Sequence, residues 1–418
     1  MRAMKDSGVE WIGEIPVCWN VERMKNCINT RDGGAWGIEP QNNENDVICL
    51  RVADLDYPRL RFTTSNNLTI RNYTVLQIEK LQLRKGDMLI EKSGGGDKTP
   101  VGRAVIFDEE YKALFANFME RIRISKRANS KYFLYVLNSF YENRYVMNYI
   151  KQTTGIQNLD ITSLFSLEKI PFPPLSEQTA IASYLDKKCS NIDAIITKNE
   201  QIIEKLKEYK SSLISETVTK ALSPDVKMKY IATINPACKI PNISQDDNVT
   251  FVPMECVRNN KRLPKAAPLK KNNSSYSIFN DGDIALAKVT PCFQNGNLCI
   301  MENLLNGFAF GSSELFNIRP IRINTKFLLY FLMTKDFISG GIASMTGVAG
   351  LQRVSINYLR NVRLPYPPLT EQTAIAAYLD KKCSIIDANI ARRELINAKL
   401  AEYKKSLIYE VVTGKKEV

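Results

Sequence analysis

Two stretches of the chain carry apolar residues at seven-residue intervals, and both read as long helices. In the first, Ile192, Asn199, Leu206 and Leu213 form one set, with Ile195, Ile202, Tyr209 and Glu216 as the second. In the other, Ile386, Arg393, Leu400 and Leu407 are accompanied by Asn389, Ile396, Tyr403 and Glu410. Lys and Glu crowd the flanking positions, as they do beside a coiled-coil seam. Such helices can pair with each other or pack separately, each on its own domain; the shared seam favours pairing. Asn199 and Arg393 are polar insertions suited to fixing register.

Ahead of each heptad run the chain nearly repeats itself. Ile170 to Cys189 reads IPFPPLSEQTAIASYLDKKC, and Leu364 to Cys383 reads LPYPPLTEQTAIAAYLDKKC, 194 residues later and with four of twenty positions changed. The prolines hold the chain extended and stop any earlier helix. Ser176 and Thr370 stand where N-caps belong, with Glu177 and Glu371 in the first turn, which favours helix initiation. A short amphipathic helix through Leu185 or Leu379 is predicted there.

The pattern divides the chain into two mixed α/β units, 1–170 and 223–363, each followed by a helical region, 171–222 and 364–418. In both units a Gly-Asp pair (Gly86-Asp87, Gly282-Asp283) precedes an apolar strand. Helices with aromatic residues (132–141, 327–337) and Thr-Gly stretches (154–159, 346–353) follow in the same order. The large units are therefore diverged repeats, whereas the helical regions stayed alike.

Composition narrows the chemistry. Apolar residues at 44% and charged residues at 24% describe a globular chain. The absence of a long apolar run and of an apolar N-terminal core leads us to expect a cytoplasmic protein. Nine cysteines without a CxxC pair indicate free thiols, with no zinc knuckle or disulfide framework. The net charge of +13 favours an anionic partner, and residues 223–364 carry +8 of it against +3 for residues 1–170.

There is no histidine. Histidine-based triads, HExxH zinc sites and HNH-type nuclease chemistry are thereby excluded, while Glu, Lys or Tyr acid–base catalysis stays open. The loop Ser93–Thr99 has Asp97 where a Walker A loop needs its second glycine, and an acid there repels phosphate. PFPPL lacks the Asn, Asp or Ser that an amino-methyltransferase motif places before Pro-Pro, and no GxGxxG turn stands out. Neither Asp87 nor Asp283 leads into a spaced Glu-x-Lys, so both read as turn formers ahead of strands.

The proline-led EQTAIAxYLDKK segment and the IDxxI…LxEYKxSLIxExVT helix resemble the conserved regions of type I restriction–modification specificity (S) subunits. Asp6–Pro16 (DSGVEWIGEIP) and the closing Glu410–Gly414 (EVVTG) resemble that family too, and the likeness spans the whole chain. It implies a non-catalytic subunit with two target-recognition domains, each reading half of a bipartite site in double-stranded DNA. The conserved helices would form an antiparallel coiled coil, serving as spacer and as platform for two modification subunits, with restriction subunits joining through those. S-adenosylmethionine, ATP and Mg would then belong to the partners. A departure is that Leu222–Ile231 lacks a second SGVEWIGEIP-like lead-in.

About thirty helical residues at 1.5 Å each give a spacer of about 45 Å, or roughly 13 base pairs. Dissimilar recognition units imply two different half-sites. DNA-contact candidates are Lys92, Ser93, Lys98, Thr99, Arg103, Gln157 and Asn158 in the first unit. In the second they are Lys288, Thr290, Gln294, Asn295, Gln352 and Arg353. Gln and Asn suit adenine edges, Arg suits guanine, and Lys mostly neutralises phosphate. Candidates for the seam or for subunit docking are Glu177, Gln178, Ile192, Ile195, Ile202, Leu206, Tyr209 and Leu213. Their counterparts are Glu371, Gln372, Ile386, Ile396, Leu400, Tyr403 and Leu407. A self-contained methyltransferase or nuclease, and a coiled-coil scaffold that binds no DNA, are the competing readings.

Overall fold

A computed structural model describes residues 2–63, 67–153, 155–220, 223–237, 247–258, 261–262, 266–268, 276–348 and 350–418. Thr154, Leu222 and Ala349, which belong to stretches singled out above, lie outside the described residues. Eight α-helices occur among the described residues: α1 (Val75–Leu81), α2 (Ser130–Glu142), α3 (Ile161–Leu167), α4 (Leu175–Thr219), α5 (Thr325–Phe331), α6 (Lys335–Ala343), α7 (Ile356–Asn361) and α8 (Leu369–Val412). None is long and apolar enough to cross a membrane.

The chain forms two compact units that do not follow simple sequence order. One comprises residues 1–199 with 395–418, and the other comprises residues 200–394. Each unit thus holds a piece of both long helices. In the first unit the central sheet runs Ala104–Ile106, Met88–Glu91, Met119–Ile124, Ile28–Gly33, all antiparallel. In the second it runs Ala232–Ile234, Leu315–Pro320, Ile284–Ala287, Leu298–Ile300, again antiparallel. Each unit adds a sheet containing one parallel pair, Asp46–Leu50 with Ala113–Phe115 or Asn248–Val252 with Phe308–Gly311. The diverged units are repeats of one plan.

The Gly-Asp pairs do more than turn the chain. Asp87 accepts from Arg84 N at 2.9 Å and takes a two-pronged bond from Arg123 at 2.8 and 3.0 Å. Asp283 accepts from Asn280 N at 2.8 Å and from Arg319 through two bonds of 2.7 Å. Both carboxylates are buried, so each closes a turn and ties two strands together.

The repeated segment forms the seat of each large unit. Gln178 accepts from Asn129 N and donates to Pro173 O, at 2.8 and 2.9 Å. Gln372 does the same with Asn324 N and Pro367 O, both at 2.8 Å. Asp186 holds Lys131 and Tyr135, and Asp380 holds Lys326 and Tyr330. The repeat is thus explained in part from within. Gln178 and Gln372 are 0% and 1% exposed, so neither is available to dock a separate subunit.

Helices α4 and α8 differ from expectation in three ways. Each is one continuous rod of 45 or 44 residues rather than a short helix followed by a heptad run. Each also starts two residues early, at Leu175 or Leu369 rather than after Ser176 or Thr370. Glu177 N and Gln178 N donate to Pro174 O, so Ser176 lies inside the first turn and is not its cap. The third difference is the seam itself. Ile192, Ile386 and Leu407 are buried, and Leu206, Leu213 and Leu400 are half-buried, as the first set required. The second set, Ile195, Ile202, Tyr209 and Glu216 with Asn389, Ile396, Tyr403 and Glu410, is exposed instead. Its place is taken one residue further on, by Ile196, Ile203 and Lys210 and by Ile390, Asn397 and Lys404.

Pairing is antiparallel. Within the first unit Asn199 donates to Asn397 at 2.8 Å, and Lys404 reaches Asp193 at 2.7 Å. Within the second, Lys210 reaches Asp387 at 2.7 Å, the same pair shifted by one repeat. Asn199 is buried, so its carboxamide needs this partner. Asn199→Leu alone is expected to cost about 1–2 kcal/mol by stranding Asn397. Leu at both positions is expected to recover that loss while loosening the register. Thermal unfolding of the two variants is the check, and equal midpoints would count against the pair.

The lead-in segment packs on the far end of α8. Trp11, Ile12, Ile15 and Trp19 are buried with Leu407, Ile408, Val411 and Val412. Trp19 Nε1 donates to Glu177 at 2.9 Å, and Arg2 pairs with the same carboxylate. Gly414, at φ +75°, sits where a Cβ would overlap Pro16. In the second unit Asp225–Lys227 pairs with Arg363–Pro365 as Asn20–Arg23 pairs with Lys169–Phe172. The second domain therefore begins at the equivalent strand, with no segment like 1–19 leading into it. Expected as one helix, residues 327–337 instead break at Thr334, whose hydroxyl caps α6 by accepting from Phe337 N.

Candidate nucleic-acid interface

In each unit a small sheet or hairpin stands beside the central sheet and carries part of the polar candidates. In the first unit, Ser93–Gly94 pairs with Ile156–Leu159, which pairs with Ile150–Thr153. The sequence-distant residues Ser93 and Asn158 thereby meet, their side chains hydrogen-bonded at 2.7 Å. In the second, the hairpin Thr346–Val348/Leu351–Arg353 leans on Thr290. Thr290 N donates to Gln352 O at 3.0 Å, and Gln352 N donates to Thr290 Oγ1 at 3.1 Å.

Backbone bonds align the two faces place by place. Lys92 N donates to Phe118 O and Leu159 N to Lys92 O, at 2.9 Å each. Lys288 N donates to Glu314 O at 3.1 Å and Val354 N to Lys288 O at 2.8 Å. Lys92 therefore corresponds to Lys288, Phe118 to Glu314, Gln157 to Gln352 and Asn158 to Arg353. The framework is common, but two of these four places carry different chemistry.

Several candidates prove to be structural. Arg103 is clamped by Glu91 through bonds of 2.9 and 3.0 Å, and this pair is sunk into the fold, with side chains 23% and 1% exposed. Gln157 is 2% exposed, and its oxygen accepts from Val101 N at 3.3 Å. Gln157 is not free to read a base edge, and Arg103 is far less presented than a surface arginine. Lys98 and Thr99 are exposed on a loop tied at its base, where Gly96 N donates to Thr99 O and Tyr141 to Pro100 O. Lys92 and Ser93 are half-buried and Asn158 is exposed.

In the second unit Gln352 and Arg353 are exposed and Lys288 is half-buried, its ammonium 5.5 Å from the Phe316 ring centroid. Arg353 donates Nε–H and Nη2–H to the two oxygens of Glu314, at 3.1 and 2.8 Å. That bond holds the Glu314 carboxyl below its ordinary value. Thr290 is used by the backbone rather than presented. Gln294 and Asn295 are brought elsewhere, to a groove of about 780 Å³ that Lys207, Lys210 and Lys335 also line.

Sequence reasoning passed over other exposed residues of the first unit. Phe118 is 51% exposed in the turn beside Lys92, and Trp36 is 40% exposed with the Arg71 guanidinium 4.5 Å from its ring. The run Gly33-Gly34-Ala35-Trp36-Gly37 was the available signal. Gly34 lies against the backbone of Ala116, and Gly37 has φ +70°, so the loop needs both glycines to present the ring. Lys151 and Gln152 are exposed on the outer strand. Lys151 bonds Asp160 at 2.7 Å, and that bond lowers the Asp160 carboxyl to about 2. No group of three or more metal-ligating side chains occurs among the described residues.

Each unit repeats one plan, a central antiparallel sheet beside a sheet with one parallel pair, on paired antiparallel helices. The family described as "Type I restriction modification DNA specificity domain" matches residues 51–208 and 225–398, and the chain belongs to it. Similar proteins include the type I restriction enzyme EcoEI specificity subunit of Escherichia coli, 35% identical over 170 residues. That match takes in 39% of this chain and 28% of the EcoEI subunit's own length. The StySPI specificity subunit of Salmonella potsdam is 23% identical over 353 residues, 78% of this chain and 73% of that protein. Among solved structures, a chain from a type I R-M system has the same fold at a TM-score of 0.71. It is 14% identical, with 96% of this chain and 99% of that chain covered.

Proposed function

We propose that this chain is the non-catalytic specificity subunit of a type I restriction–modification complex, reading a bipartite, asymmetric site in double-stranded DNA. One observation carries the reading: a shared framework presents Phe118 and Asn158 in one unit but Glu314 and Arg353 in the other. A protein that read two unlike half-sites would need such an arrangement, whereas a plain scaffold would have no use for it. The basic excess of residues 223–364 supports a polyanionic partner.

Modification subunits, one for each repeat, and restriction subunits would assemble on the long helices. Ile195, Ile202 and Tyr209 on α4, and Ile396 and Tyr403 on α8, support this, because they lie outside the seam and are exposed. S-adenosylmethionine, ATP and Mg would act in the partners. Methylation of duplex DNA by the purified chain, with and without a modification subunit, tests the reading. Transfer only with the partner, and only at one interrupted sequence, is the expected result. Transfer by the chain alone would instead favour a self-contained enzyme, and failure to bind DNA with the partner present would favour a scaffold.

A further inference from the structure

The Arg353–Glu314 pair does not belong to the repeated frame. Contacts that the frame requires recur in both units: Asp87–Arg123 and Asp283–Arg319, Gln178–Asn129 and Gln372–Asn324. At the places of Glu314 and Arg353 the first unit has Phe118 and Asn158, and the fold there is the same. An exposed ion pair of this kind contributes little to stability, because water and salt screen it. The pair therefore calls for a role outside folding.

Its geometry suits one ligand. The hairpin backbone at Arg353 is fixed by the Val289–Arg353 bridge and by the bonds between Thr290 and Gln352. Glu314 then fixes the side chain by taking Nε–H and one Nη2–H. A guanidinium has five N–H donors in a plane. The three that remain leave a second edge, where Nη1 and Nη2 offer two parallel N–H groups. Arg353 stays 48% exposed, and Glu314 32%. Two parallel donors in one plane match the N7 and O6 acceptors of guanine in the major groove.

Phosphate is the other anion-like partner for such a fork. The Glu314 carboxylate cancels the charge of Arg353 itself and leaves the neighbouring Lys288 as the cation for phosphate, whereas a base edge depends on orientation more than on net charge. Resting on the reading of the chain as a DNA-specificity subunit, we infer that Arg353, oriented by Glu314, reads a guanine in the half-site of the second unit. Glu314 is a positioning residue in this scheme.

The test uses the full chain assembled with its modification subunit, and records both the methylated motif and binding to duplexes varied one position at a time. Arg353→Gln is expected to weaken binding to the cognate duplex by about 5- to 150-fold and to move preference from guanine toward adenine at one position. Arg353→Lys keeps the charge but loses the fork, and should relax the same position without an adenine preference. Glu314→Gln should relax that position more mildly with an unchanged melting temperature. An unchanged motif in all three variants overturns the inference and leaves the specificity-subunit reading standing. Uniform weakening on every duplex with a shallower salt dependence overturns it as well, in favour of phosphate. A wild-type complex that selects no sequence removes both the reading and the inference.

Discussion

Asp283→Ala should lower the stability of the second unit by roughly 3 kcal/mol, the largest single-residue effect expected here. The carboxylate is buried, and it receives Arg319 twice, Asn317 once and the Asn280 backbone once. Deleting one partner of a buried ion pair typically costs about 3–5 kcal/mol, since the other charge stays desolvated. The low end applies because the Arg319 side chain keeps 29% of its exposure. All three tryptophans, Trp11, Trp19 and Trp36, lie in the first unit. Urea unfolding followed by circular dichroism should therefore shift further than unfolding followed by tryptophan fluorescence. Coincident, unshifted transitions would show that the turn tolerates the loss.

The second large effect concerns the proposed spacer. A heptad inserted between Gln201 and Ile202, with a matching heptad between Leu395 and Ile396, should lengthen the rod by about 10 Å. It keeps the seam in phase and leaves the Asn199–Asn397 and Lys210–Asp387 pairs intact. The gap in the methylated sequence is expected to grow by about 3 base pairs while both half-sites stay the same. An unchanged gap would rule the helices out as the spacer.

Much of the frame was legible in the chain. The prolines, the repeat and the heptads gave two long helices and two diverged domains, because backbone stiffness and periodic burial are local properties. The candidate faces were legible only in part. Ser93, Asn158, Gln352 and Arg353 were singled out because polar residues near Gly mark turns. Arg103 and Gln157 looked the same by that criterion, yet Glu91 and Val101 N claim them from elsewhere in the fold. Nothing local distinguishes a guanidinium held by a buried carboxylate from one presented to solvent.

The seam shows where the division lies. Ile195-Ile196 and Ile202-Ile203 are apolar at adjacent positions, so spacing alone permits a heptad of either phase. The structure selects Ile196, Ile203 and Lys210, because that phase lets Lys210 meet Asp387 and Lys404 meet Asp193. The amino-acid sequence by itself determined that two helices would present matched apolar stripes under two unlike domains. Which flank of each stripe closed, and which polar side chains were left facing outward, waited on partners distant in sequence. Burial and ion pairing are settled by those partners, which local pattern does not contain.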